Sequence, residues 1–240
     1  MHITADSRIS DIAATHPATI KIFQQHQIDF CCGGKIPLGE VCSRRGIDAD
    51  TLLSELRAAH RPPEGWPDWE KSTLTALITH IQKRYHEPLR AELPRLDAML
   101  AKVVQRHGDR LPEVLRPLHF TFAHLQTELL LHMSKEDRVL FPAIVAAEAA
   151  VCDSQERTGA WGWIEEPIDA MVAEHDSAGT ALATMRTLTG GYTPADDACP
   201  TFRGLYHGLA ELESDMHLHV HLENNVLFPR AARLVTAPVN

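Results

Sequence analysis

The phrase His132 to Pro142, HMSKEDRVLFP, returns at His219 to Pro229 as HVHLENNVLFP, with six identities in eleven positions. Both copies read His-x3-Glu-x2-Val-Leu-Phe-Pro. Another histidine followed by an acid precedes each: His86-Glu87 begins 46 residues before His132, and His175-Asp176 begins 44 before His219. A match of this length within one chain marks a duplicated helical hairpin. Each half supplies one histidine from its first helix, and a histidine and a glutamate from its second.

Helical periodicity runs through this part of the chain and predicts four long helices, at about 70–107, 112–149, 164–189 and 201–234. The breaks carry the expected punctuation: His107-Gly108-Asp109, Cys152 to Gly162, and Gly190 to Pro200. Helices of this length joined by loops of this size predict an all-α, up-down-up-down four-helix bundle. Residues three and four apart share a helix face. The first stripe is His86, Leu89, Leu93, Leu96, Leu100, Val103. The second is Leu118, Phe122, Leu125, Leu129, His132, Glu136, Val139. The third is Ile164, Ile168, Met171, His175, Ala178, Leu182, Met185, and the fourth is Leu205, Leu209, Leu212, Met216, His219, Glu223, Val226. Each stripe is apolar except at the repeated His and Glu positions, so all six polar groups face the core.

A buried carboxylate must be paired, protonated or bound to metal. Any one of these histidines alone reads as a hydrogen-bonded core residue. Four imidazoles and two carboxylates at one depth, with no Lys or Arg in the stripes, point to a metal instead. Six ligands from two related halves suit two ions, with Glu136 and Glu223 able to bridge. Imidazole with carboxylate suits iron, with manganese and zinc as competitors. His217 and His221, also i, i+4, lie roughly 160° around the fourth helix from His219, and are expected to be a solvated pair on its outer face rather than a second metal site. His80, His119, His124 and His207 have no duplicated counterpart and read as surface or outer residues. Glu128 and Glu174 each sit near a ligand, where they would relay protons or hold an imidazole by its free nitrogen, beside the commoner outcome of a solvated glutamate.

Composition narrows the classes of function. The chain has 240 residues and a net charge of −9, which argues against a nucleic-acid groove. No stretch approaches the ~18 consecutive apolar residues of a membrane span, and MHITADSR lacks the pattern of a secretory signal. Five cysteines, an odd number, make no disulfide framework, so a cytoplasmic location is expected.

Residues 61 to 67, RPPEGWP, read as a linker, dividing a small helical N-terminal domain, 1–62, from the bundle, 68–236. The small domain reads as short helices at Ile9 to Ala14, Ala18 to His26, Glu40 to Arg45 and Ala49 to Ala59. Between the second and third lies Asp29-Phe30-Cys31-Cys32-Gly33-Gly34-Lys35. Adjacent cysteines seldom close a disulfide, and positive charge beside a thiol lowers its pKa. A redox or metal-transfer role for Cys31 and Cys32 stands beside a purely structural turn. Cys42, Cys152 and Cys199 have no partner at useful spacing.

The two features together resemble the Repair of Iron Centers family of YtfE/ScdA-type di-iron proteins. The resemblance covers essentially the whole chain and rests on DFCCGGK, RYH at 84–86, HMSKE at 132–136, EHD at 174–176 and HVHLENNVLFPRA from His219. It implies a hemerythrin-like bundle holding two iron ions, non-haem and carboxylate-bridged, on His86, His132, Glu136, His175, His219 and Glu223. It also implies a cytoplasmic homodimer, induced by nitrosative and oxidative stress, that repairs damaged iron–sulfur proteins by supplying iron. In that role Cys31 and Cys32 would carry electrons or metal. Two alternatives stay open: an enzyme, a nitric oxide reductase forming nitrous oxide, and a hemerythrin-like protein that binds or senses O2 or NO. Neither nucleic acid nor membrane is expected as a partner. One departure is Pro88, two residues after His86, which is expected to strain or kink the first helix.

Overall fold

The structure, a computed structural model, describes residues 3–59, 67–152 and 162–236. The linker reading at 61–67 and most of the break at 152–162 lie outside the described residues. Among those described, every regular element is helical, apart from one isolated antiparallel bridge between Arg8 and Pro37. Among the described residues, no helix is long and apolar enough to cross a membrane. The chain forms two compact units, one of Met1–Leu77 with His217–Asn240 and one of Ile78–Met216.

In the first unit, α1 (Ile9–Thr15), α2 (Ile20–Gln25), α3 (Leu38–Arg45) and α4 (Ala49–Ala58) are short. Such helices are marginal alone and form because their apolar faces share a core. Ile9, Ile12, Phe23, Phe30, Leu38, Leu52 and Leu56 are buried together. Local chemistry sets the boundaries. Gly46 takes the left-handed conformation, φ 67°, that ends α3. The Asp48 carboxylate caps α4 by accepting from the Thr51 amide at 2.7 Å.

In the second unit, α6 (Glu87–His107), α7 (Pro112–Lys135), α8 (Phe141–Cys152) and α9 (Glu165–Leu188) are joined by parts of α5 (Leu74–Ile81) and α10 (Pro200–Leu222). The final helix, α11 (Phe228–Thr236), follows α10 in the first unit. The chain therefore has the four long helices of the expected bundle: α5–α6, α7–α8, α9 and α10–α11. The apolar stripes are buried as the periodicity requires, Leu93, Leu96, Phe122, Leu125, Leu205 and Leu209 completely so.

Three of these four long helices are interrupted by a π-helical turn, at Gln82–His86, Glu136–Leu140 and Glu223–Leu227. A proline follows each by two residues: Pro88, Pro142 and Pro229. Proline has no N–H and its ring collides with the carbonyl four residues back. Widening the preceding turn to an i→i+5 pattern relieves that collision. Helical structure runs through Pro88 without a break, with a π-turn ending at His86 just before it. Proline alone does not suffice, since Pro94 and Pro117 lie within α6 and α7. The extra residue also shifts the helical phase, which corrects one stripe assignment. Val139 is 53% exposed, and Leu140 and Ile144 continue the buried stripe instead.

Gly34 is a position where a side chain is poorly tolerated. An added Cβ would lie 2.8 Å from the Phe30 carbonyl oxygen and 2.9 Å from its carbon, which are backbone atoms. Gly34→Ala is expected to destabilise the protein by about 1–3 kcal/mol, measured by urea unfolding. Gly204→Ala is the control. Its methyl would meet only Met99 Cε at 3.4 Å, so neutrality or a gain of up to ~1 kcal/mol is expected.

Candidate metal centre

The π-turns sit where the repeated polar residues are. His86 ends the first, Glu136 begins the second and Glu223 begins the third. His132 lies near the end of α7, His175 in the middle of α9 and His219 near the end of α10. All six are at most 3% exposed. Their ligand atoms form two groups, each lying within 4.8 Å: His86, Glu136, His219 and Glu223, and His132, Glu136, His175 and Glu223. Glu136 and Glu223 are shared, and each group takes histidines from both halves of the repeat.

The donor geometry fits a pair of cations. Glu136 Oε2 stands 3.4 Å from His86 Nε2 and 3.2 Å from His132 Nε2, one imidazole from each group. His132 Nε2 and His175 Nε2 face each other at 3.0 Å. His219 Nε2 is 2.9 Å from Glu223 Oε1. A set of imidazole nitrogens and carboxylate oxygens, gathered away from water, suits first-row divalent ions. Two buried groups sharing both glutamates are consistent with a dinuclear site.

Outer residues fix two imidazoles by their other nitrogen. Asp137 Oδ1 lies 3.0 Å from His86 Nδ1 and accepts from Gln82 Nε2 at 2.9 Å, while Oδ2 accepts from Arg90 at 2.6 Å. Burial pushes the Asp137 carboxyl upward, but these hydrogen bonds outweigh it and hold the group well below the usual carboxylate range. The Phe141 ring stacks on His86 at 5.5 Å between centroids. Glu174 Oε2 is 2.8 Å from His132 Nδ1, and its other oxygen accepts from Lys135. Burial raises Glu174 as well, but the bonds from Lys135 and His132 outweigh it and leave the group below its usual value.

Glu128 is half-buried, 3.2 Å from His124 Nε2 and 3.5 Å from Ser177 Oγ. With His132, Glu174 and His175 it lines a cavity of about 230 Å³, where Leu131 is 60% exposed. His119, His124 and His207 stand near Asp97, Glu128 and Glu211 on outer faces. Sequence reasoning missed Asp137, Lys135 and Phe141. Asp137 had a signal, an acid directly after a repeated glutamate, but its counterpart is Asn224 and the comparison of repeats hid it.

The structure places Cys31 and Cys32 in a turn organised by Asp29. One oxygen of Asp29 accepts from the amides of Cys31 and Cys32 at 2.9 and 3.1 Å, and the other from Gly33 at 2.8 Å. The sulfurs are 3.7 Å apart, and the Cys31 thiol also donates to Asp29 at 3.3 Å. A lowered thiol pKa beside Lys35 was the expectation, and for Cys31 the direction is opposite. The hydrogen bond with Cys32 and burial push this thiol well above its usual range, and the Asp29 charge adds to them. Lys35 is exposed.

A second correction concerns His217 and His221. They do not form a solvated pair: His221 is 2% exposed and His217 half-buried. The face they occupy is covered by Phe30, whose ring stands edge-on to both at 6.1 and 5.5 Å. Burial pushes the His221 imidazole down to about 4, although a backbone hydrogen bond at Phe30 acts the other way.

Removing an outer partner tests the centre without touching a ligand. Asp137→Ala is expected to weaken ferrous ion binding by about 10–100-fold, read by competition with a chromophoric chelator. Asp97→Ala, beside the outer His119, is expected to leave it unchanged.

Residues 5–60 match the ScdA_N domain, described as a domain of unknown function (DUF542), and residues 77–231 match the hemerythrin HHE cation binding domain. The iron-sulfur cluster repair protein YtfE of Yersinia pseudotuberculosis serotype O:1b (strain IP 31758) is 40% identical over 222 residues, covering 92% of this chain and 95% of the relative. That of Yersinia pestis (strain Pestoides F) has the same identity and coverage. With both domains present in that order and this identity along nearly its whole length, the chain belongs to the YtfE/ScdA-type family.

Proposed function

We propose that this chain repairs damaged iron–sulfur clusters, and that its dinuclear site is a non-haem di-iron centre. The observation that carries the reading is the pair of buried His/Glu groups sharing Glu136 and Glu223, in a chain with extended identity to iron-sulfur cluster repair proteins. Damaged iron–sulfur proteins are then its clients. His86 and His219 would hold one iron and His132 and His175 the other, with Glu136 and Glu223 shared by both groups. Bound there, iron would supply redox chemistry and a store of metal for a client.

The remaining residues have definite jobs in this reading. Asp137 and Glu174 orient His86 and His132. Glu128 stands at the cavity beside His132 and His175, placed to pass protons as ligands are released. Cys31 and Cys32 receive electrons or metal in transit. The resemblance supports a cytoplasmic homodimer acting under nitrosative and oxidative stress, with the bundle at 68–236 and the thiol turn in a domain at 1–62.

A second reading is favoured by the cavity itself. A space of about 230 Å³ against His132 and His175 is large enough for NO or O2. In this reading the protein binds, senses or reduces NO.

Purified protein is expected to carry about two irons per chain, one for each buried group. The double variant Glu136→Ala with Glu223→Ala should fall to background, and unchanged iron content would reject the di-iron reading. The iron-loaded form should reactivate a cluster-damaged dehydratase where the apo-protein does not; equal reactivation by both would reject iron supply. Anaerobic NO titration separates the second reading. Nitrous oxide on repeated turnover marks a reductase, whereas a single stoichiometric burst marks binding or sensing.

A further inference from the structure

Asn225 lies in the π-turn that Glu223 opens, and its side-chain amide has two hydrogens to give. One goes to the Phe30 carbonyl oxygen at 3.1 Å and the other to His221 Nδ1 at 3.0 Å. Phe30 is 1% exposed and the next residue, Cys31, is 4% exposed. The Phe30 ring meets the His217 and His221 rings edge-on and packs on Phe23 at 6.3 Å within the core of the first unit. The cysteine turn is therefore tied to the helix at its carbonyl and at the ring that precedes it.

That stretch of helix also carries the ligands. His219 and Glu223 alternate with His221 and Asn225 along it, and the rise between Glu223 and Asn225 is only about 3 Å. Any change in the winding of this turn moves both residues together. The repeat shows which features belong to the tie. At the positions of His217, His221 and Asn225, the first copy has Leu130, Ser134 and Arg138. Arg138 is exposed and its neighbour Val139 is 53% exposed, whereas Val226 beside Asn225 is 3% exposed. The ligands are alike in the two copies, but only the second carries the groups that hold a thiol turn.

We infer that Asn225, with His221, is a positioning residue that couples the two functional features: metal held by His219 and Glu223 keeps the Cys31–Cys32 turn docked, and release of metal exposes Cys31. The inference rests on the metal reading above. The coupling is reciprocal by thermodynamic necessity. A reagent bound to Cys31 needs the undocked turn and so weakens metal binding by the same factor. A buried thiol reacts only in the open state, so its alkylation rate reports the open fraction.

The test uses the full chain, anaerobically, with and without ferrous ion, and N-ethylmaleimide as the probe. Cys31 modification is followed by peptide mass spectrometry and bound iron is measured on the same samples. Iron is expected to slow Cys31 alkylation roughly tenfold, within the range usual for coupled sites. Asn225→Leu should raise the apo rate and abolish the dependence on iron while still binding iron at saturation. Phe30→Leu, which keeps the carbonyl and removes the ring contacts, should give an intermediate rate. Arg138→Leu, at the equivalent place in the first copy, should behave as the parent. Iron bound stoichiometrically with no change in the Cys31 rate overturns the coupling and leaves the metal reading standing. Failure of the parent protein to bind iron overturns both. Loss of the iron effect in Arg138→Leu as much as in Asn225→Leu also overturns the assignment, since any disturbance of a π-turn would then suffice.

Discussion

Two carboxylates and four imidazoles are gathered where each is at most 3% exposed, and much of the chain is arranged around that fact. Glu136 and Glu223 are fully buried, and an isolated carboxylate in such a place carries a penalty of several kcal/mol even after relaxation. Cations between the carboxylates and the imidazoles would offset it. The outer partners follow from the same electrostatics. Asp137 and Glu174 give His86 and His132 a fixed tautomer and a negative neighbour, and Arg90 and Lys135 in turn neutralise those acids nearer the surface. Charge therefore alternates outward from the centre, each shell satisfying the one inside it.

The π-turns are the backbone's part of this arrangement. A regular helix returns a side chain to the same face after three or four residues, and a strictly regular one would bury Val139 with Glu136. Opening one turn at each proline turns Val139 to the solvent and brings Leu140 into the core. Three of the six polar core residues lie in such turns. The helix that carries His175 has no π-turn among its described residues and stays regular from Glu165 to Leu188.

What was legible in the sequence followed from periodicity and from duplication. The four long helices, their apolar stripes and the convergence of six polar groups are all short-range or repeated properties, readable one helix at a time. The changes of phase were harder, because Pro88, Pro142 and Pro229 look the same on the page as Pro94 and Pro117, which produce no such turn. Asp137 and the tie at Asn225 were hidden for a different reason. Both lie where the copies differ, and reading for identity between copies discards what each half does alone. His221 shows the same limit. Its angle on the helix was correctly placed away from His219, but exposure depends on what covers that face, and the cover is Phe30, nearly 200 residues earlier in the chain.

The cysteine turn is organised to withhold thiolate at Cys31. The amides of Cys31, Cys32 and Gly33 are the groups that would stabilise a negative sulfur, and all three are already given to Asp29. Asp29 also brings a negative charge against Cys31, and burial removes the water that would otherwise solvate a thiolate. A thiol in this state is a weak nucleophile and a poor metal ligand. Its chemistry then depends on geometry more than on pH: lifting the turn from Asn225 restores water to Cys31 and frees the pair to act together. The two glycines serve the closed form. A Cβ at Gly33 would stand 2.9 Å from the Asp29 carboxylate, and one at Gly34 would meet the Phe30 backbone. The same Phe30 carbonyl accepts from Asn225. The motif thus encodes a closed turn whose release is controlled from the ligand helix.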